Sequence, residues 1–200
     1  MGIYEFAGCV VSYEPLYGLL RRRMETYRSD TEGQPDITLD GTKEDYEKLR
    51  KQYPHLSIEE CEYSCAGAEF YMKLLKHQGF MIHASAVEKE GKAYLFSAPS
   101  GTGKSTHAQL WRQTFKGEPI RIINDDKPAV CLQNGVFYAC GTPFSGKTDK
   151  NENRKAPIQG LCMLHRGKTN KIQKITSGEA LPLILPQTLF YGDEEETNLL

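Results

Sequence analysis

No stretch of the sequence approaches the roughly 18 consecutive apolar residues of a membrane span, and the mean hydropathy is -0.53. An excess of charge of one sign is also missing. Against 26 Asp and Glu stand 25 Lys and Arg, a net charge of -1, which excludes a globally basic nucleic-acid binder. The opening Met-Gly-Ile-Tyr-Glu-Phe has neither the basic start nor the apolar core of a signal peptide. Phe6 stands where a myristoylation signal needs Ser or Thr. Cysteine is scarce: Cys9, Cys61, Cys65, Cys131, Cys140 and Cys162 are too few for a disulfide scaffold in 200 residues. They read as reduced thiols of a cytoplasmic protein. Cys61 and Cys65, with His77 further on, have no second pair to complete a zinc site. Repeats and low-complexity tracts are absent as well. What remains is a globular composition, 39% hydrophobic and 26% charged, sized for one compact domain or for one domain with a small appendage.

Residues 3–11 (IYEFAGCVV) read as one strand, being rich in β-branched and aromatic residues. Residues 13–23 read as a weak helix whose final Arg21, Arg22 and Arg23 are a solvated end. Residues 28–35 are a loop and residues 36–39 a short strand. Residues 43–53 look helical, stopped by Pro54. Ser57 and Glu60 form a capping box for a helix running to about Gln78, with Tyr63, Ala66, Phe70 and Leu74 on its core face. Residues 80–87 (FMIHASAV) and 93–98 (AYLFSA) read as strands joined by a polar hairpin loop. A helix over residues 106–115 and a strand over residues 120–123 follow. Asn134-Gly135 between residues 130–132 and 136–139 is a strong hairpin signal. Residues 158–164 and 171–175 read as a last strand pair. Ser177-Gly178-Glu179 opens an apolar helix interrupted by Pro182. The acidic run 193–196 precedes Leu199-Leu200, an apolar end that invites a further element.

The most informative stretch is Ala98-Pro99-Ser100-Gly101-Thr102-Gly103-Lys104-Ser105, followed by Thr106. It fits the phosphate-loop pattern G-x-x-x-x-G-K-[ST] except that Ala98 replaces the first glycine. A strand leads in and a helix leads out. Phosphates need many donors at short range. Gly101 and Gly103 let backbone amides turn inward, and the helix N-terminus adds partial positive charge. Ser100, Gly101, Thr102, Gly103, Lys104, Ser105 and Thr106 are thus the candidate nucleotide-binding residues. Lys104 suits the β- and γ-phosphates, and the Ser105 hydroxyl suits Mg²⁺. Ala98 requires only that the backbone there avoid positive φ.

Asp125 and Asp126 close an apolar strand, at the kind of edge where α/β sheets bind ligands. One carboxylate can bind Mg²⁺ and the other can accept a proton from an attacking hydroxyl. A turn or helix cap would also use Asp-Asp-Lys-Pro. The phosphate loop about 20 residues upstream favours the site.

The strand containing His83, the loop ending in Lys104-Ser105, and Asn124-Asp125-Asp126, read with residues 141–147 (GTPFSGK), resemble the HPr kinase/phosphorylase family over residues 80–187. That family shares its nucleotide-binding core with phosphoenolpyruvate carboxykinase. The resemblance implies an α/β fold, a mixed β-sheet P-loop kinase core, over residues 80–200, with residues 1–79 as an N-terminal α+β extension packed on it. It implies ATP- and Mg²⁺-dependent phosphoryl transfer to a serine hydroxyl of a protein or peptide, or to a small-molecule hydroxyl. Lys104 and Ser105 would hold phosphate and metal. Asp125 would be the general base and Asp126 the metal partner, with the reverse order left open. His83 would lie beside them. Relatives form hexamers, so a homo-oligomer is also implied. Ala98 departs from the pattern, the family's later glutamate and arginine find no counterpart here, and residues 1–79 do not resemble the HPr kinase N-terminal domain.

Between Lys127 and Lys174, nine Lys or Arg face two acids. Most read as solvated surface; Lys147 and Arg154 are the candidates for contacting the triphosphate. No aromatic pattern interleaves these charges, so nucleic acid is not the expected partner. A non-catalytic ATP-binding regulatory module and a plain NTPase are the competing readings.

Overall fold

The computed structural model describes residues 1–115, 117 and 119–189; the acidic run and terminal leucines lie outside them. Two sheets organise the chain. The first has three strands, β1 (Gly2–Phe6), β2 (Cys9–Tyr13) and β3 (Ile37–Thr38), in the order β1-β2-β3. The single strand expected over residues 3–11 is a hairpin. Phe6 pairs with Cys9, and Ala7 (φ 54°) and Gly8 (φ 78°) form the two-residue turn between them. Turns with both residues at positive φ match the twist of the flanking strands, but alanine at the first position hides the signal.

Helices α1 (Gly18–Met24), α2 (Lys43–Gln52) and α3 (Ile58–Leu74) complete the N-terminal part. The capping box of Ser57 and Glu60 opens α3, and Thr42 with Asp45 does the same for α2. Ala66, Phe70 and Leu74 are buried in a cluster with Tyr4, Phe6, Val11, Leu20 and Met24. Met81, Ala129, Cys140 and Phe144, from later in the chain, belong to the same cluster. At Gly67 a Cβ would lie 3.0 Å from the Phe144 ring, so glycine sets how closely α3 approaches that ring.

The second sheet has seven strands: β4 (Gly79–Met81), β5 (Ala84–Lys89), β6 (Lys92–Ser97), β7 (Arg121–Asn124), β8 (Ala129–Gln133), β9 (Val136–Cys140) and β10 (Lys155–Met163). Their order is β4-β8-β9-β10-β6-β5-β7. The strand expected over residues 80–87 breaks at Ile82-His83. β4 pairs with β8 at one end of the sheet, whereas β5 pairs with β6 and β7 at the other. At the crossing, the His83 amide donates to the Gln187 carbonyl (2.7 Å) instead of to a strand. The sheet is mixed and curled: Asn124 bridges to Asn151, and the Glu152 amide donates to the Ile123 carbonyl (3.1 Å), so the chain leading into β10 lies along β7.

Helix α4 (Lys104–Thr114) covers one face, where Val87, Phe96, Ala108, Ile120 and Ile122 form a core with Tyr94 and Trp111. The other face buries Ile82, Ala84, Ala86, Leu95, Ile123 and Val130. Helix α5 (Ser177–Ile184) starts at a capping box of Thr176 and Glu179 and contains Pro182. Residues 171–175 are not a strand. Their apolar members Ile172 and Ile175 are three positions apart, so they cannot share one strand face, and Ile172 is 90% exposed. Among the described residues, no helix is long and apolar enough to cross a membrane.

Candidate active site

Strand direction brings the site together. β6 runs parallel to β10, and β5 runs antiparallel to both β6 and β7. The C-terminal ends of β6, β7 and β10 therefore share one sheet edge with the start of β5. The loop following β6, the Asp pair following β7 and His83 before β5 all emerge there.

Ala98 is fully buried and is not among the positive-φ residues, whereas Gly101 (φ 77°) and Gly103 (φ 118°) are. A Cβ at either glycine would meet nothing within 4 Å, so both are required by backbone conformation and not by space. The loop turns through a Thr102 amide bond to the Pro99 carbonyl (3.3 Å). Unlike α2, α3 and α5, helix α4 has no side-chain cap and no acidic residue in its first turn. Its first-turn amides and positive dipole end face no competing carboxylate of their own helix. Lys104 is 7% exposed, and its Nζ donates to the Ala98 carbonyl at 3.0 Å. Burial lowers its pKa, while Asp126 and Asp125 pull it back up. Thr102, Gly103 and Ser105 are half-buried; Ser100, Gly101 and Thr106 are exposed.

At the end of β7, buried Asn124 accepts the amides of Asp126 (3.0 Å) and Lys127 (2.8 Å), fixing the turn that presents the two carboxylates. The carboxylates differ. Asp125 is 2% exposed; its Oδ1 accepts the Ser85 hydroxyl (2.9 Å) and its Oδ2 the Thr148 hydroxyl (3.0 Å). Asp126 is half-buried, with Oδ1 3.4 Å from His83 Nε2 and Oδ2 3.6 Å from Lys127 Nζ. Burial opposes its ionisation, but the His83 hydrogen bond and the charges of Lys127, His83 and Lys104 outweigh it and hold its pKa below the usual value. His83 is tied on every side. Its Nδ1 meets Gln187 Oε1 (3.2 Å), its carbonyl accepts the Ser97 hydroxyl (2.9 Å), and the next amide, Ala84, donates to the Asp126 carbonyl (3.1 Å).

One expected residue stands apart. Arg154 is held by Glu88: Nε lies 2.6 Å from Oε2, and Nη2 donates to Oε1 at 3.2 Å. Glu88 is four residues beyond Ala84 along β5, about 13 Å from the site edge, so this arginine serves the opposite end of the sheet. Lys147 lies on the 3₁₀ turn Gly146–Thr148, whose other two residues adjoin the carboxylates, but is itself exposed.

Several participants are not apparent from sequence. Ser85 falls two residues after His83, on the same face of the unbroken strand expected over residues 80–87, and that alternation was the available signal. Thr148, Gln187 and Arg166, whose Nη2 donates to the Gly101 carbonyl, come from distant segments and had none. Among the described residues no group of three His, Cys, Asp or Glu could hold a metal ion by itself.

The fold and site define a mixed-sheet α/β protein with a glycine loop and a carboxylate pair on one sheet edge. No family model and no curated protein matches the chain. Among solved structures it is similar to the HPr(Ser) kinase/phosphatase from Coxiella burnetii, with 12% identity, a TM-score of 0.33, and coverage of 60% of this chain and 85% of that one.

Proposed function

We propose that the chain is a phosphotransferase that uses ATP and Mg²⁺ to phosphorylate a hydroxyl group, either a serine of a protein or peptide or a small-molecule alcohol. The observation that carries this reading is the shared sheet edge: Lys104 at the base of the glycine loop lies within electrostatic reach of both Asp125 and Asp126. The motif resemblance to HPr kinase points the same way.

The donor set suits Mg²⁺, which prefers hard oxygens and commonly takes one or two carboxylates plus substrate phosphates. Ser105 and Asp126 would supply the protein oxygens, and the low pKa of Asp126 keeps it anionic. The bound cation would neutralise charge on the phosphates. The amides of residues 100–106 and the Lys104 ammonium would hold the triphosphate, their charge matched to the oxygens of the transferring group. Asp125, oriented by Ser85 and Thr148, would take the proton of the acceptor hydroxyl. An ATP-dependent reaction of this kind would suit the cytoplasm.

The test incubates the purified chain with γ-labelled ATP, Mg²⁺ and serine-containing peptides or alcohols. Labelled acceptor is expected, and Lys104→Ala abolishes labelling while leaving the circular dichroism spectrum intact. ATP binding without labelling or phosphate release would replace this reading with a regulatory binding module. Fast acceptor-independent hydrolysis would replace it with an NTPase.

A further inference from the structure

Arg21, Arg22 and Arg23 read in sequence as a solvated helix end, but in the fold Arg23 separates from its neighbours. Arg21 and Arg22 are exposed, whereas the Arg23 side chain is only 9% exposed. Its Nε lies 3.1 Å from Asp149 Oδ1, and its Nη2 donates to the Gly146 carbonyl at 2.8 Å. Its guanidinium lies 4.8 Å from the centre of the Tyr63 ring. The Tyr63 hydroxyl in turn accepts the Gly146 amide (2.9 Å).

Both partners of Arg23 belong to the turn that holds the carboxylate pair. Thr148, between them, donates to Asp125. Gly146 abuts Asp126 so closely that a Cβ there would fall 2.6 Å from Oδ2. Gly146 (φ 70°) and Asp149 (φ 51°) both occupy the left-handed region, which glycine adopts freely and an aspartate only at some cost. Asn151 donates to Ser145 (2.8 Å) and accepts the Tyr27 hydroxyl, adding a second tie from the N-terminal part.

We propose that Arg23 is a positioning residue for the carboxylate site. It clamps residues 145–149 in the conformation that lets Thr148 orient Asp125, which makes α1 part of the active centre. A guanidinium offers a carboxylate and a carbonyl separate donors in a rigid planar fork and a ring a flat face, a geometry the compact ammonium does not reproduce. The catalytic consequence rests on the phosphotransferase reading, but the clamp itself does not.

The experiment uses the full chain and the variants Arg23→Met, Arg23→Lys, Asp149→Asn and Thr148→Val. It reads amide hydrogen exchange, ATP affinity and transfer kinetics. Arg23→Met is expected to accelerate exchange at Gly146 and Asp125 and to lower kcat by about 10- to 100-fold, with ATP affinity within about twofold of wild type; that split separates positioning from general destabilisation. Arg23→Lys recovers part of kcat, and the exposed Arg22→Ala changes nothing. Arg23→Met and Thr148→Val together cost no more than the larger single loss, because they break one chain of contacts. Should Arg23→Met fail to fold, Asp149→Asn attacks the same ion pair from its exposed side. Unchanged exchange at Gly146 and Asp125 would overturn the clamp, as would wild-type kcat despite faster exchange or single losses that multiply. A wild-type chain that transfers no phosphate would instead overturn the proposed function, and the exchange data would still decide the clamp.

Discussion

Ser85 on β5 donates a 2.9 Å hydrogen bond to Oδ1 of Asp125 beyond the end of β7, and Thr148 donates to the other oxygen of the same carboxylate. Two hydroxyls from separate segments thus fix the plane of a buried carboxyl group. Asp126 has a different environment, facing His83, Lys127 and the charge of Lys104. Adjacent in sequence, the two carboxylates have different surroundings.

That difference predicts different losses. Asp125→Asn keeps the shape but turns one of the two hydroxyl contacts around, since its amide nitrogen donates where the carboxylate accepted; it removes the proposed proton acceptor, so transfer falls by about 10²- to 10⁴-fold with nucleotide affinity near wild type. Asp126→Asn weakens the Mg²⁺ dependence of nucleotide binding and raises the Mg²⁺ concentration needed for half-maximal turnover. Titrating Mg²⁺ against bound fluorescent ATP, alongside single-turnover rates, separates the two. Exchanged phenotypes would reverse the assignments of base and metal partner.

The pKa of Asp126 carries a stability prediction. Its folded-state pKa lies below the ordinary 3.8, so the unfolded chain binds this proton more readily than the folded one. The stabilisation is therefore complete above the ordinary value and is lost as pH falls through the lowered folded value. Denaturant melts between pH 5 and pH 2, in a window set by ordinary carboxylate values, should show a steeper acid limb for wild type than for Asp126→Asn. Identical limbs would contradict the charge environment described for this group.

The loop and the aspartates were legible because their chemistry is written in consecutive residues between elements of clear periodicity. The capping box of Ser57 and Glu60 and the turn at Asn134-Gly135 were legible for the same reason. What escaped depends on distant partners or on a residue in an unusual conformation. Ala7 in a left-handed turn carries no sequence mark. The break at His83 is tied to Gln187, 104 residues away. Arg154 looked available for phosphate because nothing local reveals Glu88 as its partner. Arg23 looked solvated because Asp149 and Tyr63 meet it only in the fold.

Glu62 tests how α1 is secured. Helix α1 has no side-chain cap of its own. The amides of Leu16 (2.5 Å) and Tyr17 (3.1 Å) donate instead to buried Glu62 of α3, which also accepts the Tyr13 hydroxyl (3.1 Å). Glu62→Leu fills the volume but strands these donors, and should cost about 2 kcal/mol. Glu62→Gln keeps an acceptor oxygen and should cost less. Urea unfolding measures both, and a Leu variant as stable as wild type would show that the carboxylate does not secure the helix start.

Gly146 is where backbone and carboxylate demands meet. At φ 70° an alanine costs about 1–2 kcal/mol by conformation alone. Its Cβ would also sit 2.6 Å from Asp126 Oδ2 and 2.8 Å from Cγ, so either the turn or the carboxylate must move. Gly146→Ala should therefore lower the urea midpoint modestly and weaken Mg²⁺-dependent nucleotide binding by more than the stability loss explains. The control is Gly135→Ala, also at positive φ (77°) but with open space around its Cβ; it should show the conformational cost without the binding defect. If both variants lost stability alike and bound Mg²⁺ and nucleotide as wild type does, contact between this turn and Asp126 would have no part in the site.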